Sequence, residues 1–243
     1  MQDTQQQAYD RGITIFSPDG RLYQVEYARE AVARGSASVG VRTETGVVLA
    51  ADRRTRSPLV EPESIEKIHT VDDHVGVASA GHVADARKLV DIARQQAQVE
   101  RLRYDQPIGV EALTKEVTDH IQQYTQTGGA RPFGVALLVG GVENGQPRLF
   151  ETDPSGTPYE WQATAVGGGR DEIQSFLEAE YREDVDLDGG VSLALRALAA
   201  ADEDLDATSV DVATVDVETE RFRSLPTDDV ATRFEESDLG GEQ

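Results

Sequence analysis

Three places in this chain carry residue types at spacings that chemistry uses. Asp184, Asp186, Asp188 and Gly189 copy the first half of a calcium loop. Such a loop closes on a bidentate glutamate at its twelfth position, and that position is Leu195. The acids are better placed to cap the helix that follows, since negative charge is stabilised at a helix N-terminus. Gly167-Gly168-Gly169-Arg170 leads into a helical pattern and could cradle an anion on backbone N–H groups. It lacks the lysine and hydroxyl of a phosphate loop, and Asp171-Glu172 would repel phosphate, so it reads as a strand-to-helix turn. The four histidines, His69, His74, His82 and His120, have no metal-ligand spacing. There is no cysteine, which excludes disulfides and thiol catalysis. Neither a G-x-S-x-G elbow nor an H-E-x-x-H pair is present. The residues offer no self-evident catalytic site, and neither a metal nor a cofactor is expected.

The formal net charge is −22, from 45 acidic and 23 basic residues. Nucleic acid is therefore an unsuitable partner, because binding it needs positive charge along the contact. Three of the cations are lysine, Lys67, Lys88 and Lys115, and the rest are arginine. The acids are scattered along the whole chain, a distribution suited to a high-salt cytoplasm, where the Debye length falls to about 3 Å near molar salt. An acidic surface then costs less and keeps the protein hydrated. The N-terminal MQDTQQQAYD has neither the basic region nor the apolar run of a signal peptide. No apolar run approaches eighteen residues, so no membrane span is expected. The expectation is a soluble, cytoplasmic protein.

The elements that must position any site begin unusually early. Residues 1–8 are glutamine-rich. Pro18, Asp19 and Gly20 make a turn, and Leu22, Val25, Ala28 and Val32 then recur at helical steps until Gly35. Tyr9, Phe16, Tyr23 and Tyr27 concentrate aromatic side chains there, which suggests a surface that packs on a partner. Ser38–Val41 and Val47–Ala51 flank a hairpin turn, and Ile65–Val71 and Val75–Ser79 give two more strands. Two helices follow, one carrying Val83, Ala86, Leu89 and Ala93, the other Val110, Leu113, Val117 and Ile121; Pro107 and Gly109 separate them, and Gly128-Gly129 ends the second.

Phe133 to Val139 is a continuous apolar strand, so both of its faces must be covered. Strands at 148–152, 159–162 and 163–166 come next, then helices around Ile173–Tyr181 and Val191–Leu198. Val210–Val217 and Arg221–Leu225 are strands, and a short helix near 228–234 precedes an acidic tail. The order is strands, two helices, strands, two helices, strands. That is not alternating βαβ. It predicts an α+β fold, a four-layer αββα sandwich of two stacked antiparallel sheets with a helix pair on each outer side. A single domain over 1–243 is expected: a tail at 1–17, a helix at 20–34, the sandwich at 36–225, and a helix and acidic tail at 226–243.

Phe16-Ser17-Pro18-Asp19-Gly20-Arg21 followed by Gln24-Val25-Glu26-Tyr27-Ala28 resembles the signature of proteasome α-type subunits. The likeness continues through Ser64-Ile65-Glu66-Lys67-Ile68, Ala80-Gly81, Ala84-Asp85-Ala86-Arg87, Gln123-Tyr124-Thr125-Gln126, Arg131-Pro132-Phe133-Gly134 and Arg148-Leu149-Phe150. It covers about residues 8–225 and looks most like an archaeal form, with the charge pointing to a halophile. The family's fold is the N-terminal-nucleophile hydrolase sandwich, in line with the element order.

The resemblance implies a heptameric ring of α-subunits that caps a protease barrel, templates a ring of β-subunits, docks a regulatory ATPase and admits unfolded protein substrates. Catalytic β-subunits use an N-terminal threonine whose own amine is the base. Here Gly35-Ser36-Ala37-Ser38-Val39-Gly40 stands where such a chain would begin. Ser36 would be the nucleophile only after cleavage behind Gly35, so the chain is expected to be non-catalytic, the alternative being a self-processed hydrolase. By motif match the gate residues are Tyr9, Asp10, Pro18 and Tyr27. The activator-docking pocket is Lys67, whose compact ammonium suits a terminal carboxylate, with Gly81 beside it. The pore constriction is Thr127, Gly128 and Gly129. Relatives usually carry an aromatic before the two glycines, so Thr127 implies a less hydrophobic throat.

Overall fold

Strand β5 (Val135–Glu143) is buried along eight of its nine residues, and the two faces of the strand meet different layers. Val135, Leu137 and Val139 point into a core shared with two helices, while Ala136 and Leu138 point into the core between two sheets. This is why the segment reads as unbroken hydrophobicity. The computed structural model describes residues 16–237 apart from 18–19, 55–56, 58, 62–63, 127–129 and 203. Within them the chain forms two five-stranded sheets, entirely antiparallel.

The first sheet contains β1 (Ser38–Arg42), β2 (Gly46–Asp52), β8 (Ala163–Val166), β9 (Val210–Asp216) and β10 (Arg221–Ser224), in the order β10-β9-β2-β1-β8. The second contains β3 (Ile68–Asp72), β4 (Val75–Gly81), β5, β6 (Gln146–Thr152) and β7 (Pro158–Glu160), in that order. Helices α2 (Val83–Tyr104) and α3 (Val110–Gln126) cover the second sheet, and α4 (Arg170–Glu180) and α5 (Leu187–Ala201) cover the first. Helix α6 (Thr227–Glu236) adds Val230 and Phe234 to the core under α5. The result is the four-layer αββα sandwich that the element order predicts.

The sheets alternate sides strictly. Val48 and Ala50 of β2 face the helices, while Val47 and Leu49 face the other sheet. Between the sheets, Gly40 lies under Leu149, where a Cβ would come within 2.7 Å of Leu149 Cδ1. A larger residue there would wedge the layers apart.

Some boundaries differ from the expectation. Helix α2 ends at Tyr104 because Asp105 takes a left-handed conformation (φ 54°) and closes the last turn on Arg101, ahead of Pro107. Strand β5 starts two residues late, because Asp85 holds the Gly134 amide in its lead-in. The early helix α1 (Tyr23–Ala33) has no side-chain cap at Leu22. Its apolar face needs no partner molecule: Val25, Ala28 and Val32 are buried within the chain, where α1 packs on β4 and β5. Arg29 then pins it through two 2.9 Å hydrogen bonds to Asp153. What α1 leaves outward is Tyr27, with Phe16 just before it, both exposed.

Candidate functional site

Where α1 ends, three glycine-bearing segments meet. Gly35 donates to the Val32 carbonyl and closes the helix. Its φ is ordinary, so what glycine supplies is room: a Cβ would lie 2.4 Å from the amide nitrogen of Gly81. Gly81 itself is left-handed (φ 113°) at the end of β4. From the other side Gly168 donates to the Gly35 carbonyl at 2.7 Å. That uses the amide an anion would have needed, and Gly169 (φ 67°) then opens α4. The glycine run is a strand-to-helix turn, as its sequence suggests.

Ser36, between Gly35 and β1, donates its hydroxyl proton to the Asp52 carbonyl at 2.6 Å. Lys67, just ahead of β3, reaches the same point. Its ammonium donates to the Ser36 carbonyl at 2.6 Å, the Ser36 hydroxyl at 2.8 Å and the Ala37 carbonyl at 3.2 Å. Lys67 is 7% exposed. Burial pushes its pKa down to about 8, against the opposing fields of Asp52 and Asp211. Neither acid is free to pair with it. Asp52 is bound by Arg54 through its main-chain amide and Nε at 2.8 and 2.9 Å, and Asp211 by Arg53 at 3.2 Å. Arg54 also reaches Asp202. Among the described residues no carboxylate lies within 4.0 Å of Lys67. Ser36, Ala37, Asp52, Arg54, Lys67 and Asp202 line one cleft of about 880 Å³, which also holds Gly81.

This arrangement can hold an anion. It cannot run the chemistry of an N-terminal nucleophile, because the Ser36 nitrogen is in a peptide bond with Gly35 and offers no amine. Below pH 8 the one amine beside the hydroxyl is a cation that donates to it and cannot take its proton.

The structure also joins two stretches that lie far apart in sequence. Asp85, in the first turn of α2, accepts two 2.7 Å hydrogen bonds from Arg131 and one of 2.8 Å from the Gly134 amide. Burial pushes the Asp85 carboxyl up, but these donors outweigh it and hold it below its usual range. Tyr124 packs on Phe133 with centroids 4.9 Å apart. Arg148 lies over Phe150 at 5.2 Å.

Lys67 and Gly81 thus share a cleft, whereas Tyr27 stands elsewhere on α1. Tyr9, Asp10, Pro18, Thr127, Gly128 and Gly129 lie outside the described residues. The pairing of Ser36 with Lys67 had no signal in the sequence beyond the glycine before it. Asp186 caps α5 by accepting from the Gly189 amide at 2.8 Å, as the acidic run suggested. His69 and His74 are buried, His120 packs against Tyr124 and Phe133, and among the described residues no group of acids and histidines has metal-site geometry. No helix among them is long and apolar enough to cross a membrane.

Two family models match the chain. The proteasome subunit model covers residues 32–215, and the N-terminal signature of A-type proteasome subunits covers residues 9–31. The chain is 74% identical to the alpha 2 proteasome subunit of Haloarcula marismortui over all of both chains. It is 69% identical to the alpha 1 proteasome subunit of Haloferax volcanii over 97% of this chain and 94% of that one. It is 67% identical to the proteasome alpha subunit of Haloquadratum walsbyi over the same shares. These are organisms of high salt, which fits the charge of −22. With its glycine-locked linker blocking Ser36 and the N-terminal signature ahead of it, the chain belongs to the proteasome subunit family as an α-type, non-catalytic subunit of the core particle.

Proposed function

We propose that this α-subunit forms a heptameric entry ring in the cytoplasm, seats the β-ring, and opens to unfolded substrates when a regulatory ATPase places its C-terminal carboxylate beside Lys67. The observation that carries this reading is the Lys67 ammonium. It is buried, held among the described residues by neutral oxygens alone, and Asp52 and Asp211 are already engaged by arginines. A buried charge is costly unless it is paired. An incoming carboxylate supplies the missing partner, and Gly81 lines the same cleft. In this reading Tyr9, Asp10, Pro18 and Tyr27 form the gate, with Tyr27 fixed on α1 and the others in the tail before it. Thr127, Gly128 and Gly129 line a throat less hydrophobic than an aromatic would make.

The test is stimulation of peptide hydrolysis by the regulatory ATPase, in particles assembled with β-subunits. Lys67→Met removes the charge and keeps the volume. The expected outcome is assembled particles whose stimulation falls at least tenfold, in the range of losing a charged hydrogen-bonded partner. Stimulation of the wild type should also decline as pH rises through about 8, where Lys67 loses its proton. Undiminished stimulation of Lys67→Met would overturn the docking site.

A further inference from the structure

The Lys67 ammonium is fully used by groups of this chain. It has three N–H donors, and these meet the Ser36 carbonyl, the Ser36 hydroxyl and the Ala37 carbonyl. A carboxylate cannot be added to this arrangement. It must displace at least one of the three. Two of them are main-chain oxygens of the linker that joins α1 to β1. The third is the only side chain in the set.

We propose that Ser36 sets the affinity of the cleft for a carboxylate, its hydroxyl and carbonyl competing for the Lys67 ammonium, so that docking loosens the linker behind α1. This rests on the docking reading above and adds a competitor and a consequence to it. The hydroxyl yields readily, because it keeps its own bond to the Asp52 carbonyl when the ammonium leaves. The main-chain oxygens matter for a different reason. Residues 35–37 are wedged between Gly81 and the Gly167–Gly168 turn, with so little room that a methyl group on Gly35 would collide with the Gly81 backbone. Lys67 ties this wedge to the lead-in of β3, where its carbonyl accepts from Ser79. The lead-in of β3 and the lead-in of β1, which belong to different sheets, are therefore held together at one ammonium, just past the end of α1. Helix α1 is the element that continues into the N-terminal tail. A ligand that turns the ammonium away from Ser36 and Ala37 releases α1 at its C-terminal end.

The competition is measured on full particles with a fluorescent peptide copying the last eight residues of the regulatory ATPase. The peptide is prepared as the free acid and as the C-terminal amide, and binding is read by anisotropy at pH 7. Ser36→Ala removes one competing acceptor, so the free acid should bind about three- to tenfold tighter, the range set by one hydrogen bond to a charged group. The amide should bind as it does to wild type, because it brings no charge for Lys67. Ser36→Thr keeps the hydroxyl and should restore wild-type affinity, which separates the acceptor's effect from a packing defect. Unchanged or weaker acid binding by Ser36→Ala, with binding still lost in Lys67→Met, would overturn the competition and leave the docking site standing. Wild-type binding of the acid by Lys67→Met would overturn both.

Discussion

Two buried charges of this chain show how burial and partners decide together whether the charged form is favoured. Lys67 is buried with no carboxylate among the described residues within 4.0 Å, so burial works against its charged form. Asp85 is buried with Arg131 and the Gly134 amide on it, so its charge is fixed and structural. The sign for Asp85 follows from its lowered pKa. The folded state prefers the carboxylate, so the group stabilises the fold above the unfolded pKa of about 3.9, and that stability is lost as pH falls through the folded value. Arg131 is 60% exposed, so solvent screens the pair. We expect Asp85→Asn to cost about 1–2 kcal/mol at pH 7. The deficit relative to wild type should shrink toward zero as pH falls from the unfolded value through the lower folded value in denaturant titrations. A deficit that stays constant across that window would assign the loss to shape and not to charge. The pair also explains two motif blocks that the sequence presents as separate. Ala84-Asp85-Ala86-Arg87 and Arg131-Pro132-Phe133-Gly134 are halves of one contact that fastens the start of α2 to the start of β5. No local pattern could announce that, because the partners are 46 residues apart.

At the scale of elements, β5 decides the architecture, because one strand supplies two of the three cores. Leu138 is fully buried between the sheets, among Leu49, Ala78 and Leu149. Leu138→Ala should cost about 3–5 kcal/mol, since stacked sheets cannot close over the void. Val32→Ala, a smaller truncation on the α1 face of the same cluster, should cost about half as much or less. Denaturant midpoints of the two variants check the order, and equal costs would mean that the intersheet layer collapses as freely as the helix seat does. Period and length made most elements legible: the hairpin of β1 and β2, the paired helices, and the two-faced run at 133–139. The sheet order was not legible. Adjacent residues belong to opposite sheets where the Trp161 amide donates to Leu149 of β6 and the Gln162 carbonyl accepts from Arg42 beside β8. Strand propensity says that 159–166 is extended, but it carries no information about which neighbour each half will choose. The buried face of α1 was hidden for a similar reason. An early amphipathic helix looks partnerless in sequence, although the strands that cover it come later in the chain. The site divides in the same way. Lys67 and Gly81 were found through motif blocks, whereas Ser36 and Asp52 enter it only because folding brings β1, β2 and β3 together at one point.

At the scale of the whole molecule the dominant quantity is charge. Even if each of the 23 basic side chains neutralised one acid, the 45 acids would leave an excess of 22. Pairs such as Arg148 with Glu160 and Arg196 with Glu180 are partly exposed, and each contributes at most about 1 kcal/mol. Salt weakens such pairs, but it also weakens the repulsion among the excess carboxylates. The second effect must win, because every unpaired acid interacts with many others while each pair is a single contact. At 0.01 M salt the Debye length is about 30 Å and the repulsion acts across most of the molecule; at 1 M it is about 3 Å and little repulsion survives. The melting temperature of the protein should therefore climb with KCl, on the order of 10 °C between about 0.1 and 1 M, which corresponds to about 3 kcal/mol for a chain of this size. The form of the curve distinguishes the cause. Screening saturates once the Debye length is shorter than the spacing of surface charges, so the rise should level off near 1 M KCl. Exclusion of a kosmotropic salt does not saturate there, and sulfate should continue to stabilise beyond it. A melting temperature that is flat in KCl, or one that rises without levelling, would show that repulsion among carboxylates is not what low salt exposes in this protein.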